Sequence, residues 1–388
     1  MKNYKAMSKL KISKTYAEEF DEKCAKHNAH GFLRYITEPD DKNISLLDLF
    51  KEIEKTIIWQ QVEPESEINL NEKQFKVIIS DFYETYFPHK AEEVKQILNR
   101  SHPYFIDRAG NCHINFIKAE KNDFRSSNVG HAGRRTYLEY NVYFHNNVDD
   151  LSTTAHEIAH AISSHHKHLI ELIRSDTNQS EIDKYIQRKN NFDNDCIGEI
   201  ESLIVERLFI HYLHDMELIT EKDLCNFEKK QQATLLSEIN LIQEEREILK
   251  ELPCPVTEKS LANLVKNLEK TKNKRLIERI ENMHDNDRHS SYMFRYIVGR
   301  IVSEEWMKKY LASGKQKQTK MLEQFEHYLD NTYKLNLNNA CDELLNLDFT
   351  SIVENYVIDK LNQRKAKQQK KSDKLDNNEN AEEERHII

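Results

Sequence analysis

Over residues 1 to about 100 the apolar positions recur at helical spacing. The runs Leu46-Leu47-Asp48-Leu49-Phe50-Lys51-Glu52-Ile53 and Phe75-Lys76-Val77-Ile78-Ile79-Ser80-Asp81-Phe82 predict helices, with Pro64 and Pro88 marking breaks. No motif lies there, and the stretch reads as a packing layer that frames a site. The period then changes. His113-Ile114-Asn115-Phe116-Ile117 and Tyr137-Leu138-Glu139-Tyr140-Asn141-Val142-Tyr143-Phe144 alternate apolar or aromatic with polar residues, a strand signal. Gly110, Gly130 and Gly133 lie around them, so a small sheet is expected directly before the next helix. From about residue 150 helical spacing returns. Residues 167–194 are polar and predict a helix plus an insertion loop. Two long charged helices are expected over about 220–282, and another over about 288–312. From Arg364 onward the chain is almost wholly charged or amide, too polar to bury, which predicts disorder. No internal repeat is evident.

Composition sharpens this to a mainly α fold. Only 7 of the 388 residues are Gly and 6 are Pro, so breakers are scarce. The length suits two domains or one large one. The formal charge of -9 argues against a nucleic-acid partner, which calls for a basic excess. Cys24, Cys112, Cys196, Cys225, Cys254 and Cys341 are scattered without a CxxC pair, which favours reduced thiols and argues against a cysteine-based zinc site. No apolar run reaches the ~20 residues that span a bilayer, and the basic N-terminus has no apolar signal-peptide core. A cytoplasmic protein without a membrane partner is expected.

One segment carries chemistry: Asp149-Asp150-Leu151-Ser152-Thr153-Thr154-Ala155-His156-Glu157-Ile158-Ala159-His160-Ala161-Ile162. Asp150 or Ser152 can cap the helix. His156 and His160, four apart, leave one face of a helix and can share a metal ion. Glu157 can then reach a water at that metal and shuttle its proton to a leaving amine. The third ligand has two candidates. His166 gives the metzincin spacing, but Ser163 stands where that turn wants glycine, and residues 164–170 read as continued helix. Glu199 lies in Gly198-Glu199-Ile200-Glu201-Ser202-Leu203-Ile204-Val205-Glu206, where Glu199, Ser202 and Glu206 can share a helix face. Glu206 could there orient a ligand histidine.

Together, 150–162 and 198–212 resemble the thimet oligopeptidase and oligoendopeptidase F family of gluzincin-type zinc metallopeptidases. That family carries His-Glu-x-x-His, then Glu-x-x-Ser-x-x-x-Glu on the next helix; here the residues are His156-Glu157-Ile158-Ala159-His160 and Glu199 to Glu206. The resemblance implies Zn2+ held by His156, His160 and Glu199, with Glu157 as general base and Ser202 and Glu206 supporting. Tyr140-Asn141-Val142-Tyr143-Phe144 looks like the family's edge strand, which implies substrate pairing at Tyr140, Val142 and Tyr143. The stretch from Arg288 to Gly299 resembles its late helix, which implies that His289, Tyr292 and Tyr296 stabilise the tetrahedral intermediate; His284 is the other candidate histidine. This chain has Ala159 where the family has Gly, a longer gap between His160 and Glu199, and a reduced N-terminal part, which implies a more open cleft.

The expectation is therefore a zinc metalloendopeptidase acting on peptide or protein substrates. Residues 1–104 form a helical layer, 105–363 the catalytic domain, and 364–388 a polar tail. A metzincin-like protease using His166, or an inactive helical binding protein, are the alternatives. The terminal Glu382-Glu383-Glu384-Arg385-His386-Ile387-Ile388 also resembles signals on bacterial type IV secretion substrates, which would deliver the chain into another cell.

Overall fold

Most helices begin where the sequence supplies a capping side chain. Ser13, Ser45, Asn71, Asn147, Thr257 and Asn336 each accept a hydrogen bond from the backbone N–H three residues on. Each such cap stabilises its helix by about 1 kcal/mol. The computed structural model describes residues 10–39, 43–57, 59–63, 68, 70–99, 112–118, 128–131, 138–144, 147–164, 180, 192–285 and 289–385. In chain order the helices are α1 Lys14–Lys26, α2 Ala29–Thr37, α3 Leu46–Thr56, α4 Glu72–Tyr86 and α5 Ala91–Asn99. The strands β1 Cys112–Lys118, β2 Asn128–His131 and β3 Leu138–Phe144 follow, then α6 Val148–Ile162 and α7 Phe192–Asp215. Then come α8 Glu221–Leu249, α9 Glu258–Lys270, α10 Lys274–Asp285, α11 Ser290–Leu311, α12 Lys315–Asn331, α13 Leu337–Leu345 and α14 Phe349–Arg385.

The protein is mainly helical. Between α8 and α10, three helices stand where two were expected. Pro253 and Pro255 end the first, Thr257 caps the second, and Lys272 takes a left-handed φ of 56° before the third. Residues 364–385, expected to be disordered, continue α14. They include five Lys and four Glu, residues of good helix propensity. The sheet order is β1-β3-β2, with β1 parallel and β2 antiparallel to β3. The stretch read as an edge strand is thus the central one. Among the described residues, no helix is long and apolar enough to cross a membrane.

The chain divides into two compact units, each discontinuous in sequence. The first comprises Met1–Gln60, Thr234–Phe294 and Val353–Ile388. Its core gathers Phe20, Cys24, Ile248, Leu261, Ile280 and Met283. Within it the buried pair Arg279–Glu245 closes at 2.8 Å. The second comprises Gln61–Ala233 and Arg295–Ile352. Aromatic rings knit its helices: Phe82 lies 5.0 Å from Phe209, Phe87 lies 5.7 Å from Phe325, and Phe325 lies 5.6 Å from Trp306. Each such side chain, once buried, contributes about 1.5–3 kcal/mol. Inside this unit α6 packs along α7, and β3 and α5 also touch α6. Cys24, Cys196, Cys225, Cys254 and Cys341 are free thiols.

Candidate metal centre

Helix α6 starts at Asn147, not at Asp150 or Ser152. Asn147 accepts from the Asp150 N–H at 2.9 Å, and the Asp150 carboxylate accepts from the Asn147 N–H at 3.3 Å. This reciprocal box, with Asp149 beside it, places two carboxylates at the favourable end of the helix dipole. The helix ends at Ile162, and Ser163 turns away in ordinary extended backbone, φ -72° and ψ 147°. Ser164 is helical again, and residues 165–170, expected to continue the helix, lie outside the described residues. His166 itself lies outside the described residues.

The four-residue spacing puts the His156 and His160 rings 4.9 Å apart on the α6 face that meets α7. From α7, Glu199 Oε2 lies 3.6 Å from His156 Nε2 and 3.9 Å from His160 Nε2. One donor atom from each of His156, His160 and Glu199 falls within 4.8 Å of the other two. The neighbouring Glu157 is buried, and its Oε2 accepts no hydrogen bond among the described residues; the same holds for Glu199 Oε2. Two buried carboxylate oxygens left without donors, beside two imidazole nitrogens, fit a divalent cation. This donor set of two imidazoles and one carboxylate is suited to zinc and leaves a coordination position open.

Charged groups surround the three donors. Glu206 Oε2 faces His156 Nδ1 at 3.1 Å, while Gln231 donates to Glu206 Oε1 at 2.9 Å and Arg300 donates to Gln231. Burial opposes a charge on His156, but Glu206, Glu199 and Glu157 outweigh it and raise its pKa to about 9. Burial alone would raise Glu206; the hydrogen bond and charge of His156, with Arg300 and Arg207, hold it below the ordinary value instead. Burial, assisted by Glu199 and Glu206 against His156 and Arg295, lifts Glu157 to about 7. Arg295 Nε lies 3.4 Å from Glu199 Oε1, and its guanidinium donates to the Tyr296 hydroxyl at 3.0 Å.

The structure thus brings together His156, Glu157, His160, Glu199 and Glu206. Ser202 is buried in α7 and donates back to the Glu199 carbonyl at 3.3 Å. Tyr296 lies in the same unit, through Arg295. The two candidate late histidines and Tyr292 belong to the first unit. There His289 is fully buried, with Nε2 at 3.1 Å from the Met283 carbonyl and Nδ1 at 3.6 Å from Glu245. His284 is held by Glu19 and Asp285 at 2.9 and 2.8 Å, and Tyr292 is 38% exposed. Tyr140 is paired on both sides, to Ile114 of β1 and Val129 of β2, and Val142 and Tyr143 pair with Phe116 and Ile117 of β1. Sequence reasoning missed Arg295, Gln231, Arg300 and Glu201. The available signal for Glu201 was a lone charge inside the apolar run Ile200 to Val205.

A Cβ on Gly299 of α11 would stand 2.7 Å from the Glu199 carbonyl oxygen and 2.7 Å from Leu203 Cδ1. Glycine here lets two helix backbones approach at the third donor.

No protein-family model and no curated protein matches the chain. Two solved structures do. One, a protein assigned as an oligoendopeptidase F of Bacillus anthracis str. Ames, shares 14% identity over 94% of this chain and 57% of its own, with a TM-score of 0.44. Another assigned oligoendopeptidase F shares 11% identity over 92% of this chain and 58% of its own, with a TM-score of 0.50. The chain therefore spans less than two thirds of either neighbour, and the likeness is one of fold: this mainly helical chain is folded like an oligoendopeptidase F.

Proposed function

We propose that the chain is a zinc-dependent endopeptidase of the gluzincin type. His156, His160 and Glu199 hold the ion, and Glu157 acts on water. The observation that supports this best is the meeting of three metal-ligand donors from two helices around carboxylate oxygens that no other group satisfies. Bound there, Zn2+ supplies Lewis acidity, which acidifies water and polarises a peptide carbonyl.

The protein's own groups do the rest. Glu157 accepts the proton of the attacking water and returns it to the leaving amine. Tyr296, whose oxygen accepts from Arg295, is the candidate donor to the oxygen that gains charge as the carbonyl is attacked. His289 is not one, because both ring nitrogens face partners inside a core.

The test is cleavage of a diverse peptide mixture read by mass spectrometry. Wild-type protein is expected to cut, and both Glu157→Gln and chelator treatment to abolish the cuts. Glu157→Gln should lose at least ~1,000-fold in rate, at the upper part of the range for acid–base groups, while still binding one zinc per chain. Cuts that survive both treatments overturn the proposal. Loss of zinc on His166→Ala but not on Glu199→Ala would transfer the third ligand to the metzincin position.

A further inference from the structure

The ligand set accounts for Glu206 but leaves a second buried carboxylate without a task. Glu201 has no exposed surface and lies two residues beyond Glu199 on α7. Side chains two apart on a helix diverge by roughly 200° in direction, so these two do not share a face. Both nevertheless reach His160. Glu199 Oε2 is 3.9 Å from Nε2, and Glu201 Oε1 is 3.7 Å from Nδ1. The ring bridges them because it lies against the α7 backbone at Gly198, where a Cβ would be 3.7 Å from both Cε1 and Nδ1.

A carboxylate taken wholly out of water costs several kcal/mol unless a charge or a donor offsets it. Two tyrosines border this one, Tyr83 and Tyr328. Their ionisation is suppressed first by burial and then by the Glu201 charge. Each hydroxyl donates to a backbone carbonyl, Tyr83 to Ala155 at 3.1 Å and Tyr328 to Ile197 at 3.3 Å. The group Glu201 faces that gains acidity when a metal binds is the His160 imidazole. The partner histidine has a carboxylate at the corresponding nitrogen, Glu206, hydrogen-bonded there at 3.1 Å against 3.7 Å for Glu201 and His160.

We propose that Glu201 is a positioning residue of the metal centre: it faces the Nδ1–H of His160, fixes the tautomer that turns Nε2 inward, and strengthens that nitrogen as a ligand. Each imidazole then has its own buried carboxylate, Glu206 for His156 and Glu201 for His160. This inference rests on the metal site proposed above. Outer carboxylates of this kind are worth about 10- to 100-fold in metal affinity.

The experiment measures Zn2+ affinity of the full chain by competition with a chromophoric chelator. Wild type is expected to bind one ion, and Glu201→Gln to bind about 10- to 100-fold more weakly. In a His160→Ala background the same substitution should change affinity by less than about twofold, because its effect passes through that ring. In a His156→Ala background the effect should persist. The metal-free melting temperature of Glu201→Gln should not fall, since an amide of the same shape removes a buried charge. A Glu201→Gln affinity within about twofold of wild type overturns the inference and leaves the metal site standing. Losses that add in the His160→Ala background overturn it too, by assigning Glu201 to the architecture. A wild-type chain that takes up no zinc overturns both readings. If Glu201→Gln does not fold, Glu201→Asp replaces it; it keeps the charge but withdraws it, and the same non-additivity with His160→Ala is required.

Discussion

At the scale of single residues, the metal-free protein is set against itself. Glu157 titrates near 7 when folded, above the ordinary 4.5, so folding favours its protonated form. Its stabilising contribution is complete below about pH 4.5 and disappears as pH rises through 7. At about 1.4 kcal/mol per pKa unit, the loss amounts to roughly 3 kcal/mol above pH 8. Metal-free Glu157→Gln should therefore melt higher than wild type at pH 8 and alongside it at pH 5, as differential scanning calorimetry will show. His156 runs parallel at higher pH: its folded pKa is raised from 6.5 to about 9, so its contribution is complete below about pH 6.5 and is lost as pH rises from there through 9. That His156 pairs with His160, and Glu199 with Glu206, could be read from helical spacing; that the two helices meet was implied only by the family resemblance. Glu201 and Arg295 could not be read that way. Glu201 points off the ligand face and meets His160 only through that ring's tilt across α7, and Arg295 acts through a side-chain path that no local spacing encodes.

At the scale of elements, the site depends on how closely two helices approach. Gly299→Ala improves intrinsic helix propensity by about 1 kcal/mol, yet its Cβ must enter space 2.7 Å from the α7 backbone. Overpacking of this kind costs about 1–3 kcal/mol, so the variant should melt lower and bind zinc more weakly as Glu199 is displaced. Gly314, the uncapped N-cap of α12 with open space around its Cβ position, is the control. Gly314→Ser should stabilise by a few tenths of a kcal/mol and leave zinc affinity unchanged. Element boundaries were legible where a Ser, Thr or Asn could cap or a proline could stop. They were not legible at Ser163, which ends α6 in backbone open to any residue, nor past Arg364. There the polarity that forbids burial concealed a composition that propagates a helix.

At the scale of the molecule, a mainly helical build follows from scarce glycine and proline. Its division into units does not, because both units collect segments far apart in the chain and periodicity is a local signal. The first unit holds a buried ion pair whose disruption should be costly. Arg279→Ala leaves Glu245 without its guanidinium and should lower stability by about 3–5 kcal/mol in denaturant titration. Zinc should raise the melting temperature progressively, by about 1.4 kcal/mol for each tenfold of free metal above the dissociation constant.

Helix α6 carries Asp149 and Asp150 in its first turn and His160 in its last. Its peptide dipoles sum to about half a negative charge at that last turn, beside the ligand. Such a field draws in any cation of sufficient charge and does not distinguish one divalent ion from another. Discrimination is left to the donors and to supply, and two imidazoles with a carboxylate also accept the cobalt, nickel and copper ions of the first row. On the metal site proposed above, the ion found in purified protein is expected to track the metals of the growth medium, which elemental analysis of preparations from defined media will check.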